Sequence, residues 1–513
     1  MAVALGTLTL GGCMSWQQAS GRPGALLARR PSTMIRVVNH QGRNVVLYRP
    51  FISGDSLGGY RDTSRADSRV AMPLSDVVRV EVRRFDVGQT VLALAAAGAT
   101  AALVVGALNS GPSGSPSPPT TTTTTAGCGI MGCGSFSCPL VYSWDGAHWR
   151  LDSGTFGGAI AAALQRTDVD NLDYARAEGD TLRLRVANEL AETDHLDALA
   201  VLAVDHDPAV TVAPDPAGGL HTLGALIAPV SARDFRGADA LPRVRDADGW
   251  SWESAPAGRD PGRPADLRDG LELVFVRPHG AARAHLVLDG NSSAWGTYLL
   301  GAFIAAHGRA TEAWYDSLNA HPAAALAVQA RLAREAFLTA SVRTGQGWQD
   351  AGVFWEAGPE IVKRQVLVLD LSQVAGDSVT VRLASAPSFW TIDRVAMDFT
   401  GDAPLAVHDL PLLSAVDQAG RDVAPALRAV DHREDVLAHG DAAVVTFEVP
   451  PSPAGLARTW VLRSTGWYRV DTPETGEPDA VDLAALGRDS LAVGRASVAR
   501  LVAALASLTE GSR

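Results

Sequence analysis

Several short constellations in this chain carry side chains able to do chemistry. Asp168, Asp170, Asn171 and Asp173 crowd oxygen donors into six residues, the composition of a calcium loop. An EF-type loop needs oxygen ligands at positions one, three and five, and the fifth position here is Leu172, so a solvated acidic turn is predicted. Asp205-His206-Asp207 has the groups for acid–base work but no accompanying nucleophile pattern, which predicts strand-end capping. Trp250 with Trp252, and Trp348 with Trp355, would make sugar-stacking platforms if exposed and core if not. Cys128, Cys133 and Cys138 lie within eleven residues; in an oxidising compartment they offer one disulfide and a leftover thiol, and their spacing fits no common zinc pattern. Lys363 is the single lysine beside forty-three arginines, so Schiff-base and Ser–Lys chemistry would have to run through it alone. No catalytic set, metal site or cofactor is predicted, with calcium the one candidate ion.

Gly54-Asp55-Ser56-Leu57 spells the nucleophile string of GDSL esterases. The partner Asp-x-x-His occurs only as Asp145 to His148, in another domain, so a polar turn ahead of Gly58-Gly59 is predicted instead.

The elements that position these residues are written twice. Ser231, Ala232, Asp234, Gly237, Asp239, Pro242, Arg245 and Asp248 recur at the same spacings as Ser414, Ala415, Asp417, Gly420, Asp422, Pro425, Arg428 and Asp431, 183 positions on. Gly179–Ala187 reappears as Gly376–Ala384, each a tight turn followed by an alternating strand. Leu196-Asp197 is echoed by Ile392-Asp393, and Ala282-Arg283 by Ala457-Arg458. A duplicated β-sandwich is predicted. Its repeated turns, at Asp234, Gly237, Asp239 and Asp417, Gly420, Asp422, are expected to be structural: Asp oxygens cap amides and Gly takes the costly backbone angle.

The amino terminus carries an address. Ala2 to Leu10 is apolar, and Leu10-Gly11-Gly12-Cys13 has the small-residue pattern that precedes a lipidated cysteine, although no basic n-region stands before it. Residues 34–86 read as four or five short strands, a small SH3-like or Sm-like barrel. Val91 to Leu108 is uncharged and weakly hydrophobic, a segment expected to dip into a membrane or pack on the protein, with a single-pass anchor as the alternative. A Pro- and Thr-rich spacer follows, then the cysteines. Trp295 to Val342 reads as helical, with Ala325, Val328, Leu332 and Ala336 as its apolar stripe, widened by Leu326, Ala333 and Phe337.

From Cys138, the run Cys-Pro-Leu-Val-Tyr-Ser-Trp-Asp-Gly-Ala-His-Trp is similar to the opening of a bacterial envelope module of unknown function. So are Gly157-Gly158-Ala159-Ile160, Arg166-Thr167-Asp168, Asn188-Glu189-Leu190 and Val204-Asp205-His206. The resemblance covers roughly residues 138–470, the leader and small barrel look like lipoproteins that carry this module, and it implies no activity or catalytic residues.

The expected fold is mainly β with helical insertions. It comprises a lipoprotein signal peptide (1–12), a tether (13–33), a small barrel (34–86) and an apolar helix (87–108). A linker with the cysteine cluster (109–137) leads to β module copy 1 (138–294), a helical connector (295–343), β module copy 2 (344–470) and a C-terminal helix (471–513). A net charge of -12 argues against a nucleic-acid partner. The expected function is a binding or assembly scaffold, lipid-anchored on the extracytoplasmic side of the bacterial envelope and engaging a protein or glycan there. An envelope hydrolase or carbohydrate-active enzyme and a calcium-dependent binding module are the alternatives.

Overall fold

The computed structural model describes residues 14–19, 34–39, 44–61, 69–85, 139–254, 260–355, 358–472 and 475–510. The chain is mostly β, divided into two compact units.

The first unit contains β1 (Met14–Ala19), β2 (Met34–Asn39), β3 (Asn44–Ser53), β4 (Ser56–Tyr60), β5 (Arg69–Pro73) and β6 (Val77–Phe85). They form one antiparallel sheet in the order β1-β6-β2-β3-β4-β5. Ile35, Val37, Leu47, Leu57 and Val80 make its core. The expected barrel is not closed. Residues assigned to the tether form β1, which runs along β6 from Met14 opposite Phe85 to Ala19 opposite Val80, so β1 and β5 end the sheet unpaired with each other. The Gly-Asp-Ser-Leu string is the β3–β4 turn: Ser53 faces Ser56 and Gly54 takes φ +57°.

The second unit holds the repeat. Its elements are β7 (Leu140–Trp144), β8 (Trp149–Gly154), β9 (Arg166–Asn171), β10 (Thr181–Ala187), β11 (Glu192–His206), β12 (Thr211–Pro214), β13 (Leu220–Leu223), β14 (Ser231–Asp234), α1 (Leu241–Val244), β15 (Trp252–Glu253), β16 (Asp269–Val276) and β17 (Arg283–Ser292). Then follow α2 (Ala294–Ala305), α3 (Thr311–Ala320), α4 (Pro322–Glu335), β18 (Leu338–Thr344), β19 (Gly347–Phe354), β20 (Lys363–Asp370), β21 (Ser378–Ser385) and β22 (Trp390–Asp398). The last are β23 (Ala406–Asp409), β24 (Leu412–Asp417), α5 (Ala424–Leu427), β25 (Asp435–Leu437), β26 (Ala442–Glu448), β27 (Ala457–Val470), α6 (Ala480–Arg488) and α7 (Ala492–Glu510), of which residues 501–510 are counted with the first unit.

Two sandwiches result, with matching strand orders. In one, the sheet β24-β26-β10-β7-β8 packs on β23-β11-β27-β9, with β25 also on β11. In the other, the sheet β14-β16-β21-β18-β19 packs on β15-β22-β17-β20. Because β10 matches β21 in the repeat, and β16 and β26 each lie between the repeated turn and the repeated Ala-Arg pair (Ala282-Arg283 and Ala457-Arg458), the pairing of β10 with β26 and of β21 with β16 joins opposite copies. The copies, read as successive modules at 138–294 and 344–470, exchange halves: strands 7–11 complete their sandwich with 24–27, and strands 14–17 complete theirs with 18–22. Alternation drives each layer. Leu182, Leu184 and Val186 of β10 turn inward between Arg183 and Arg185, as Leu271, Leu273 and Phe275 of β16 do around Glu272 and Val274.

The connector forms three helices ending at Glu335 rather than one stretch to 343, because β18 starts at Leu338. Ala325, Leu332, Ala336 and Phe337 are buried as their spacing predicts, whereas Leu326 is 55% exposed. The C-terminal helix is two helices, interrupted where Asp489 caps the Leu491 amide at 2.9 Å.

Candidate functional site

Exchanging halves requires the chain to cross between sandwiches twice, through residues 207–230 and 399–405, and the crossovers meet at one polar cluster. The first carries the β12–β13 hairpin. Asp215 closes its turn by accepting the Ala217 and Gly219 amides at 2.8 Å each, with Gly218 at φ +88°. The hairpin is wedged between the sandwiches: Val212 packs with Leu202, Val204 and Val461, while Ala213 and Leu223 pack with Val287, Val366 and Ala396. Strand alternation puts His221 on the face of Leu223, and His285 on the face of Val287. The two imidazoles therefore meet, with centroids 4.9 Å apart.

Asp402 comes from the second crossover. Its Oδ1 accepts the Thr222 amide at 2.8 Å, and its Oδ2 lies 3.1 Å from His221 Nδ1 and 3.7 Å from His285 Nε2. On the far side of the ring, His221 Nε2 is 3.0 Å from Asp215 Oδ2. The crossovers are also joined directly, Thr222 Oγ1 accepting the Ala403 amide at 2.7 Å, and Asp398 at the end of β22 accepts the Gly224 amide at 2.6 Å. Donor atoms of His221, His285 and Asp402 all fall within 4.8 Å of one another, the spacing of metal ligands. Burial works against a charged His221, but the carboxylates of Asp215 and Asp402 outweigh it and raise its pKa. Burial lowers that of His285, against the pull of Asp402. His285 Nδ1 is buried with no hydrogen-bond partner. The arrangement can bind a proton or a metal ion between two imidazoles and a carboxylate.

The acidic loop read for calcium contains its own cation. Lys363, 3% exposed, donates to the Asp152 and Asn171 carbonyls at 2.6 and 2.7 Å and lies 3.1 Å from Asp170 Oδ2. Ser153 donates to the same Asp170 oxygen at 2.5 Å, and burial pushes the Asp170 carboxyl up to about 6. Asp168 accepts the Phe156 amide and pairs with Arg166, both at 2.7 Å. The ammonium stands among oxygens where a calcium ion would stand.

Asp205-His206-Asp207 latches a strand end. Asp205 takes a bidentate bond from Arg458 at 2.6 and 2.8 Å, and this hydrogen bonding holds its carboxyl below the usual range. His206 Nε2 is 2.9 Å from Thr459 Oγ1.

In the repeated turns, Asp234 accepts the Arg236 and Ala238 amides at 2.9 and 2.8 Å, and Asp417 accepts those of Ala419 and Arg421 at the same distances. Gly237 and Gly420 take φ +83° and +79°. Asp239 and Asp422 then cap the short helices through Leu241 and Ala424, at 3.1 and 3.0 Å.

The tryptophans do not gather into a platform. Trp252 is buried, Trp250 is half-buried, and Trp355 lies against Phe337 and under Arg166, whose guanidinium is 4.4 Å from its centroid. Trp348 lies under Arg382 and Arg343, at 4.0 and 5.4 Å. Cys13, Cys128, Cys133, Cys138 and the 87–108 segment lie outside the described residues. Among the described residues, no helix is long and apolar enough to cross a membrane.

Sequence reasoning missed His221, His285, Asp402 and Asp215. They stand far apart in the chain with no short-range spacing, and the signal that finds them is the pair of crossovers. Comparison with protein-family models and with curated proteins finds no match.

Proposed function

We propose that this chain is a binding or assembly scaffold of the bacterial envelope, lipid-anchored at Cys13 on the extracytoplasmic side and engaging a protein or glycan partner. The observation that carries the reading is a guanidinium stacked on an aromatic side chain on one sheet of each sandwich. Arg185 and Arg382 occupy the same repeat position on the middle strands β10 and β21. Arg185 lies 5.3 Å from the Tyr142 centroid and Arg382 lies 4.0 Å from that of Trp348. On the first sheet Arg183 adds a second stack, 4.6 Å from Trp144, which meets Trp149 edge-on at 5.3 Å. Guanidinium over aromatic offers a rigid, amphipathic surface of the kind that anchors interfaces. The repeated carboxylates, by contrast, accept bonds from their own turns, which supports a structural role for them.

The test is a pull-down from detergent-solubilised envelopes with Cys13 intact. A partner should be retained by the wild-type chain and weakened about tenfold or more when Tyr142→Ala and Trp348→Ala are combined. Retention unchanged by these substitutions would contradict the reading. In a bacterial host, labelled palmitate should enter the wild-type chain, and Cys13→Ala should abolish it; unchanged labelling would place the lipid elsewhere.

A further inference from the structure

We propose that His221, His285 and Asp402 bind a divalent transition-metal ion of the zinc type, which clamps together the two crossovers that carry the chain between its sandwiches. The inference goes beyond the scaffold reading and stands or falls apart from it.

Donor chemistry selects the ion. Two imidazole nitrogens and one carboxylate oxygen suit zinc and its neighbours, whereas calcium and magnesium take oxygen ligands. Zinc bonds of about 2.0–2.1 Å put tetrahedral donors about 3.3 Å apart. The Asp402 oxygen is 3.1 and 3.7 Å from the two nitrogens and all three donor atoms lie within 4.8 Å of one another, so the donors have to draw together to close the set.

Orientation is built in from behind. Asp215 Oδ2 lies 3.0 Å from His221 Nε2, so a neutral His221 protonated there turns a bare Nδ1 toward Asp402, the carboxylate–histidine support common at metal centres. The Thr222 amide holds Asp402 by Oδ1 and leaves Oδ2 free to ligate. His285 is poorly satisfied as it stands: its Nδ1 is buried without a partner, and its Nε2 is beyond hydrogen-bonding distance of Asp402. A metal on Nε2 gives that ring its polar contact.

Access is one-sided. The Asp402 side chain is 47% exposed, whereas those of His221 and His285 are 13% and 7% exposed. An ion enters past Asp402 and keeps its fourth position toward water. His221 rides on the first crossover, Asp402 on the second, and His285 on a central strand of the second sandwich, so one ion ties three segments far apart in sequence.

The experiment uses the full chain in detergent, stripped with a chelator and titrated with zinc, with cobalt as a spectroscopic substitute. The wild-type protein should take up one ion at this site, show the visible bands of tetrahedral cobalt, and melt at a higher temperature with zinc but not with calcium. His285→Gln and Asp402→Asn should each weaken uptake by about 100-fold or more, and the supporting Asp215→Asn by about 10–100-fold. Asp402→Asn keeps the acceptor for the Thr222 amide, so it remains a valid test even where His285→Gln does not fold. No uptake by the wild-type chain would overturn the proposal. So would uptake unchanged in Asp402→Asn, including uptake with the thiolate-to-cobalt band that places the ion on the cysteines.

Discussion

At Lys363 the chain places its one ammonium where a bound ion would otherwise sit, with two carbonyls and a carboxylate around it. Removing one partner of such a buried set leaves the others desolvated and unpaired, which costs far more than the pair is worth against an apolar replacement of the whole. Lys363→Met should therefore lower stability by about 3–5 kcal/mol in urea unfolding, and added calcium should not restore it. The repeated glycines test a different term. An added Cβ at Gly237 or Gly420 meets no atom within 4 Å, so only the positive φ opposes it. Gly237→Val and Gly420→Val should each cost about 1–3 kcal/mol, while Asp234→Asn and Asp417→Asn should be milder because an amide oxygen still accepts from the turn. A melt unchanged by Gly→Val would contradict the turn account. These residues were legible in the sequence because each acts through neighbours four positions away or fewer. The ligands of Lys363 were not, since its oxygens come from residues 152–171.

Among the elements, β11 and β25 carry the charges that set the pH response. Burial raises the Asp194 carboxyl on β11, with Asp471 adding to the rise, and burial pushes Asp435 on β25 up to about 6. Both fold with a proton that the unfolded chain releases near its ordinary carboxyl pKa, so stability falls as pH rises above about 4. Carboxylates held low, such as Asp205 and Asp234, lose their contribution only in stronger acid. The urea midpoint should therefore peak on the mildly acidic side and decline toward about pH 8, and Asp435→Asn should flatten that decline. A midpoint that rises over this range would contradict the assignment. Local patterning made the strands and the helical connector readable, with Ala325, Leu332, Ala336 and Phe337 buried as their spacing predicts. It misjudged Leu326 and the barrel. A stripe does not say which edge of a helix is covered, and strand spacing does not say which edge strands meet.

For the whole molecule, the repeat announced two like sandwiches but not which halves would join. Both arrangements bury the same apolar faces and pair the same strand types, so periodicity cannot distinguish them; the crossover lengths and the cluster between them can. The central claim is that β10 pairs with β26 from the opposite copy, with Arg183 facing Thr446. Unexchanged modules would instead put Arg183 beside Val274, the repeat counterpart of Thr446, on β16. Arg183→Cys combined with Thr446→Cys, treated with a short thiol cross-linker and mapped by peptide mass spectrometry, should give the 183–446 link in high yield. Arg183→Cys with Val274→Cys should give none above background. The reverse outcome, a link from 183 to 274 and none to 446, would contradict the exchange and with it the crossovers and the cluster they bring together.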